Sequence, residues 1–306
     1  MSLKALKNRQ INRASTDFSI GFAGIIFLLI TLLLTPTAQA MVGVELMTQK
    51  SRWTIDQLSI QENVSQTGTY LYLPLGGLAY LEGAQEQLEL SYKATLPSLK
   101  QGDRSAVFNL LLGPFMLSAG VHQVKSTNPN VDQGKTTAYQ FNLPEILHLS
   151  LGYSSFKTKF PDFVLTDRLD QKGLEVKQQS PEIGLNFFDG SVGLRSKQSK
   201  IQLSDSLGRG QTEYASTQVT GTFWLQPFYF TYSKWTGDRL FYADNKALYL
   251  NSLEQVYHGG NQASITWMPA SWMDLAINRS NDNFFESGFL EPLKSQTDTL
   301  SLTLRF

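Results

Sequence analysis

The chain has 306 residues, of which 17% are charged and 42% apolar, with no cysteine, three histidines and a formal net charge of zero. Without cysteine it has no disulfide, iron–sulfur cluster or thiolate zinc site. The balanced charge argues against a nucleic-acid binder, and we expect neither a cofactor nor a nucleic-acid partner.

The first forty residues have the pattern of a secretory signal peptide. Four basic residues precede an apolar run over 20–34, and Ala38-Gln39-Ala40 follows the helix-breaking Pro36. A basic segment, an apolar segment and A-x-A form the secretory signature, so we predict cleavage after Ala40. A second interpretation is an uncleaved signal anchor, because residues 18–44 carry no charge and could span a bilayer. Cleavage would leave a domain over 41–306 with 22 basic and 25 acidic residues.

The rest of the chain alternates apolar and polar residues with a period of two. In the segment 88–96, Leu88, Leu90 and Tyr92 fall on one face, and Glu89 and Lys93 on the other. Successive side chains of a strand point to opposite faces, so each segment has one apolar and one polar side. We predict fourteen strands, over 52–60, 68–76, 86–96, 105–112, 115–125, 136–143, 146–157, 180–188, 191–201, 213–225, 228–237, 261–268, 272–280 and 296–306.

The connections between these strands alternate in length. Short turn signals such as Gly113-Pro114, Asp189-Gly190 and Gln226-Pro227 alternate with long polar stretches. Tight turns on one rim and long loops on the other are typical of a transmembrane β-barrel, whereas a soluble sandwich has no reason to sort its loops in this way. Many aromatic residues also lie beside the turns, as expected at a membrane–water interface.

These features resemble a Gram-negative outer-membrane β-barrel protein. The resemblance rests on the signal peptide, the alternating strands and the alternating last strand Leu300-Ser-Leu-Thr-Leu-Arg-Phe306, and no family-specific motif lies within it. It implies an all-β fold: a closed antiparallel up-and-down transmembrane barrel of about 14 strands, with 12 to 16 possible, in the cell outer membrane. It also implies outer-membrane lipids and the barrel-assembly machinery as partners, with Phe306 as the assembly signal.

A barrel of this size has a lumen too wide for its own wall side chains to fill. We therefore predict an outer-membrane channel for passive diffusion of small hydrophilic solutes, with weak charge selectivity because its lining mixes both signs. The third loop, 126–135, is short, and we expect a monomer. The predicted pore-lining residues are Glu89, Lys93, Gln140, Asn142, His148, Arg195, Lys197, Gln218, Asp274 and Arg305.

Two other functions remain open at this point. The long loops 158–179 and 239–259 could plug the lumen, which would leave a structural, adhesion or assembly anchor. A minor alternative is an outer-membrane acyl hydrolase that uses Ser280 of the string Asn278-Arg-Ser-Asn with His258 as a base. A protease would need clustered carboxylates, for which Asp162, Asp167 and Asp170 with His148 are the candidates. Neither motif is specific, and we expect no enzymatic activity.

Overall fold

The structure is a computed structural model that describes residues 44–93, 97–146, 148–165, 171–244, 246, 248–250, 254–285 and 291–306. The predicted signal peptide lies outside these residues. Sixteen strands are present among them: β1 Glu45–Ile55, β2 Gln61–Pro74, β3 Ala79–Tyr92, β4 Leu99–Leu112, β5 Phe115–Ser126, β6 Lys135–Ile146, β7 Leu149–Val164, β8 Lys172–Phe187, β9 Val192–Leu203, β10 Glu213–Leu225, β11 Phe228–Arg239, β12 Ala243–Asp244, β13 Tyr249–Leu250, β14 Val256–Ala270, β15 Met273–Phe285 and β16 Leu293–Arg305.

Fourteen of these strands form one closed antiparallel barrel in which each strand pairs with its neighbours along the chain. The two-residue strands β12 and β13 pair only with each other, so β11 pairs directly with β14. The first and last strands close the barrel, with Glu45 opposite Arg305 and Ile55 opposite Ser295. The predicted closed up-and-down barrel of fourteen strands is therefore confirmed. Within the described residues, no helix has the length and apolar character needed to cross a membrane.

Three segments differ from the prediction. The first strand covers Glu45–Ile55 instead of 52–60, because the chain turns at Asp56, whose carbonyl accepts a bond from the Ser59 amide at 3.0 Å. The predicted long loop 158–179 is largely strand, since β7 continues to Val164 and β8 begins at Lys172. The predicted long loop 239–259 contains the two-residue strands β12 and β13, which do not join the barrel.

The connections have different lengths on the two rims, as predicted. Short turns join β2–β3, β4–β5, β6–β7, β8–β9, β10–β11 and β14–β15 on the rim that also carries both ends of the barrel sheet, which we call the turn rim. The longer connections lie on the opposite rim, the loop rim. The half of the barrel next to each rim is named after it, as the turn half and the loop half.

The turn half exposes apolar side chains on its outer surface. Ile183 and Leu185 of β8 and Leu194 of β9 are all exposed, although they lie in the middle of a paired sheet. Exposed aromatic residues surround the turn rim at Phe187, Phe188, Trp224, Phe228, Trp267 and Trp272. An apolar outer band beside an aromatic girdle is the surface that a barrel presents to a bilayer.

The alternation reverses its sense in the loop half. Leu174 and Val176 of β8 lie on the opposite face from Ile183 and Leu185, point inward and are buried. The same reversal occurs in β3, where Leu81 is exposed on the outside and Leu88 and Leu90 are buried. Three apolar clusters fill the inside of this half, and the largest contains residues of β5–β10, β13 and β14. The loop half is therefore packed inside like a soluble domain, with polar side chains outside.

The architecture is that of a transmembrane β-barrel. A bilayer offers no hydrogen-bond partners, so strands cross it only when the sheet closes on itself, and this sheet does. Its exposed large apolar side chains lie mainly in the turn half, with Leu58, Ile60 and Val164 at the loop rim as exceptions, so we assign the turn half to the membrane. The predicted transmembrane β-barrel fold is confirmed at this level.

Candidate functional site

The connection from β11 to β14 enters the lumen, and we call its described residues, 240–244, 246, 248–250 and 254–255, the inserted loop. Leu240, Phe241 and Leu250 are buried within the largest apolar cluster. The ring of Phe241 lies 5.1 Å from that of Phe160 and 5.9 Å from that of Phe163, both on β7. Burial of these groups holds the loop against the wall formed by β5–β10.

The base of the inserted loop is fixed by Arg239. Its guanidinium carbon lies 4.1 Å from the ring centroids of both Trp235 and Tyr242. Its Nε donates to Ser216 Oγ and one Nη to Gln218 Oε1, each at 2.9 Å. A guanidinium between two aromatic faces combines cation–π attraction with stacking, so the point where the loop leaves β11 is strongly held.

The next residues are bonded to the wall through Gln178 of β8. The Gln178 side-chain amide donates to the Ala243 carbonyl at 2.8 Å and accepts from the Ala243 amide at 2.9 Å, which satisfies a buried backbone. Beside it, the Tyr242 hydroxyl donates to Asp244 Oδ2 at 3.0 Å. Burial, followed by the nearby carboxylate of Asp244, raises the pKa of the Tyr242 hydroxyl, so this group remains a neutral donor.

The tip of the loop crosses the lumen between two ion pairs. The Asp244 carboxylate bonds Lys197 of β9, and Lys246 Nζ lies 2.8 Å from Glu82 Oε2 of β3 and 3.2 Å from the Tyr80 hydroxyl. The Lys246 carbonyl also abuts Gly120 of β5, where a Cβ would overlap it. The loop therefore spans from one wall of the barrel to the other.

Two cavities flank the inserted loop. The first, of about 420 Å³, is bordered by β5–β9 and contains Gln140, Asn142, Glu182, Arg195 and Lys197. The second, of about 480 Å³, is bordered by β1–β3, β10, β11 and β14–β16. Asp244 borders both, so the tip of the loop separates them.

The second cavity has both polar and apolar side chains in its wall. Glu86 projects into it, and its carboxylate accepts bonds from Gln66 at 2.9 Å, from Gln49 at 3.1 Å and from the Tyr70 hydroxyl. Hydroxyl and amide side chains complete the wall at Asn261, Gln262, Asn278, Ser280, Thr297 and Thr299. A solute there would meet hydrogen-bonding groups.

The structure brings several predicted pore-lining residues to these cavities. Gln140, Asn142, Arg195 and Lys197 border the first cavity, and Gln218 borders the second. Asp274 and Arg305 meet inside the turn rim, where Arg305 Nη1 lies 3.0 Å from Asp274 Oδ1 and Arg305 Nε lies 2.9 Å from Glu45 Oε1.

Three predicted pore-lining residues lie elsewhere. Glu89 is on the outer face of the loop half, 3.3 Å from Lys100, because its neighbours Leu88 and Leu90 occupy the inner face. Lys93 follows the end of β3 in an exposed position. His148 stands in the turn between β6 and β7, exposed and with a φ of 69°. The reversal of the alternation explains the placement of Glu89.

The sequence analysis missed the residues that hold the inserted loop across the lumen. Glu82, Asp244 and Lys246 carry its tip contacts, and none stood in a recognisable pattern. Gln178 and Arg239 complete the attachment. The sequence analysis named the loop 239–259 as one that could plug the lumen, but it predicted none of these contacts.

The residues considered for catalysis are not brought together. Ser280 borders the second cavity, whereas His258 is exposed and bonded to Asp238. His148 is at the turn rim and Asp162 near the loop rim, while Asp167 and Asp170 lie outside the described residues. Among the residues that the structure describes, no group of three or more histidine or carboxylate side chains is arranged to hold a metal ion.

Comparison with known proteins gives only distant structural similarities. No protein-family model matches the chain, and neither does any curated protein. Solved structures similar to it include the Acinetobacter baumannii outer membrane protein Omp33, with 7% identity, 86% of this chain and 99% of that chain covered and a TM-score of 0.46. A Pseudomonas aeruginosa FadL homologue is 8% identical, with 86% of this chain and 90% of that chain covered and a TM-score of 0.49. The Vibrio cholerae OmpT is 9% identical, with 89% of this chain and 99% of that chain covered and a TM-score of 0.45. Similarity at this level says nothing about what the chain binds.

Proposed function

We propose that the protein is a channel for passive diffusion of small hydrophilic solutes, with a lumen narrowed by the inserted loop. The observation that carries this proposal is the pair of cavities, about 420 and 480 Å³, that lie on either side of the loop tip and have hydrogen-bonding side chains in their walls. Cavities of this size accommodate small molecules. A barrel of fourteen strands also has more lumen than its wall side chains fill.

A specific observation favours a second candidate, a plugged barrel that serves as an anchor. The base of the inserted loop belongs to the largest apolar cluster, and its tip forms ion pairs with both walls. A loop held at so many points would close the lumen if the remaining gaps did not connect. The anchor would then act through its exposed loops.

Current across planar lipid bilayers separates the two candidates. The purified chain is compared with a variant in which residues 242–250 are replaced by a short Gly-Ser linker. The channel proposal expects steady current steps from the unmodified chain and larger steps from the variant. Current from the variant alone would overturn the open channel and favour the plug, and silence from both folded proteins would contradict both.

The proposal includes no catalytic step and no oligomer. We propose a monomer surrounded by outer-membrane lipids, with Phe306 as the residue that the assembly machinery binds. Phe306 has an exposed side chain at the turn rim, and its backbone pairs with Val44 through bonds of 2.9 and 3.0 Å. A lipase assay of the chain and of Ser280→Ala tests the first point, since activity that the substitution removes would reveal an enzyme.

A further inference from the structure

The first cavity contains a pair of opposite charges that takes no part in holding the inserted loop. We propose that Arg195 and Glu182 form a binding site for small zwitterions, molecules that carry a carboxylate and an ammonium group close together, as amino acids do. This inference rests on the proposed function, because it names the class of solute that the lumen favours.

The other charges of this cavity are already engaged. Three cations border it, Arg195, Lys197 and Lys246, with the acids Glu182 and Asp244. Lys197 is bonded to Asp244, and Lys246 lies 2.8 Å from Glu82. These pairs hold the inserted loop, so a solute would have to displace the loop to use them.

Arg195 and Glu182 are close without being hydrogen-bonded to each other. Arg195 Nη1 lies 3.9 Å from Glu182 Oε1, with the two side chains 51% and 33% exposed. This separation exceeds the range of a hydrogen bond. A solute can therefore accept from the guanidinium and donate to the carboxylate without breaking a bond between them.

Two glycines make room for the site. Gly184 of β8 pairs with Ser150 on one side and Arg195 on the other. A Cβ at Gly184 would lie 3.0 Å from Arg195 Cγ and overlap Ser150 Oγ, and a Cβ at Gly152 would lie 2.9 Å from Asn142 Oδ1. The missing side chains let Arg195, Ser150 and Asn142 lie flat against the wall, which forms a recess lined with polar groups.

The recess disfavours solutes that carry only one charge. The planar guanidinium binds a carboxylate through two parallel hydrogen bonds, but a simple anion would also face the Glu182 carboxylate. An ammonium group suits Glu182, but a simple cation would face Arg195. A zwitterion satisfies both groups, because its two charges oppose those of the wall.

Ligand-observed NMR with the folded chain in detergent micelles tests the site directly. The probes are glycine, glycolate, which lacks the ammonium group, and ethanolamine, which lacks the carboxylate. We expect glycine to bind up to about five-fold more tightly than either, as for one partly exposed charge contact. Arg195→Gln should weaken glycine binding to the level of ethanolamine, and Glu182→Gln to the level of glycolate.

The matched control is Arg279→Gln, which also removes one positive charge. Arg279 lies on the outer face, with its Nε 2.6 Å from Asp298, and should leave glycine binding unchanged. Retained electrophoretic heat-modifiability establishes that each variant is folded. If Arg195→Gln does not fold, Arg195→Lys is the second variant. It keeps the positive charge but not the planar guanidinium, and it should give an intermediate loss of glycine binding.

The outcomes separate this site from the channel proposal, because binding is measured without flux. Glycolate binding as tight as glycine binding, or equal losses in Arg195→Gln and Arg279→Gln, would overturn the zwitterion site. Conduction without glycine binding would also overturn the site and leave the channel intact. Glycine binding to a barrel that conducts no current would support the site and refute the channel.

Discussion

The contact between Gly120 and the inserted loop gives the sharpest test of how the loop is held. Gly120 faces the lumen on β5, and a Cβ there would overlap the carbonyl oxygen of Lys246 and lie 3.1 Å from Val107 Cγ2. The oxygen belongs to backbone that cannot rotate away. Gly120→Ala therefore requires the loop to shift.

The shift acts against a partly buried ion pair. The side chains of Lys246 and Glu82 are only 11% and 21% exposed and lie 2.8 Å apart. Overpacking of a filled interior costs about 1–3 kcal/mol. The substitution strains the protein only when the loop lies in the lumen. It should therefore raise the ratio of molecules with a displaced loop to molecules with an inserted loop by about 5- to 150-fold.

Limited trypsin digestion of the folded barrel measures that ratio. Trypsin can cleave after Lys246 only when the loop is outside the lumen. If the loop returns to the lumen faster than trypsin cleaves it, the cleavage rate is proportional to the fraction of molecules with a displaced loop. We expect Gly120→Ala to raise the rate by the same factor and to add larger current steps in bilayers. Gly83→Ala is the matched control, since the nearest atom to a Cβ there is at an ordinary 3.7 Å. Equal cleavage rates for the two folded variants would refute the loop placement.

Four further substitutions test the loop and the two halves of the barrel. Asp244→Asn should weaken the hold of Lys197 on the loop by about 1–2 kcal/mol, seen as noisier current, and unchanged current noise would contradict this role. Ile277→Arg should destabilise the barrel in vesicles by about 2–4 kcal/mol, because the exposed side chain of Ile277 faces lipid in the turn half. An unchanged free energy of unfolding in urea would argue against a lipid-facing position for Ile277. Leu90→Ala should cost about 2–5 kcal/mol in the same assay, whereas Glu89→Ala on the opposite face should cost less than about 0.5 kcal/mol.

The strands were predictable because period-two alternation is a local property. The ranges 213–225 and 228–237 differ from β10 and β11 by two residues at most. The sorting of loops by length also gave the barrel topology. Both signals arise from neighbours along the chain, which a single sequence contains.

Alternation alone did not predict which face of each strand points into the lumen. The same pattern places Ile183 in lipid and Leu174 in a buried cluster on one strand. An apolar side chain satisfies either environment, so the pattern does not say where the bilayer ends. Glu89 was therefore assigned to the lumen, although it lies outside.

Insertion of the loop 239–259 was considered from the sequence, but its contacts were not predictable because they join distant parts of the chain. Lys246 reaches Glu82, and Asn128 reaches Glu254, across more than a hundred residues. Hydrogen bonds from single polar side chains leave no periodic signal. Gly120 is a local trace of the loop, since a glycine inside a strand indicates a close backbone approach.

The five tryptophans test where the bilayer ends. Trp224, Trp267 and Trp272 are 51%, 42% and 56% exposed near the turn rim, whereas Trp235 is 8% exposed and faces inward in the loop half, as does Trp53. In single-tryptophan variants, with the other four replaced by phenylalanine, lipids brominated near the headgroup should quench the first three. Trp235 and Trp53 should keep their fluorescence, because the protein wall separates them from lipid. Equal quenching of Trp235 and Trp267 would mean that lipid reaches both halves, and the division of the barrel into a membrane half and a projecting half would fail.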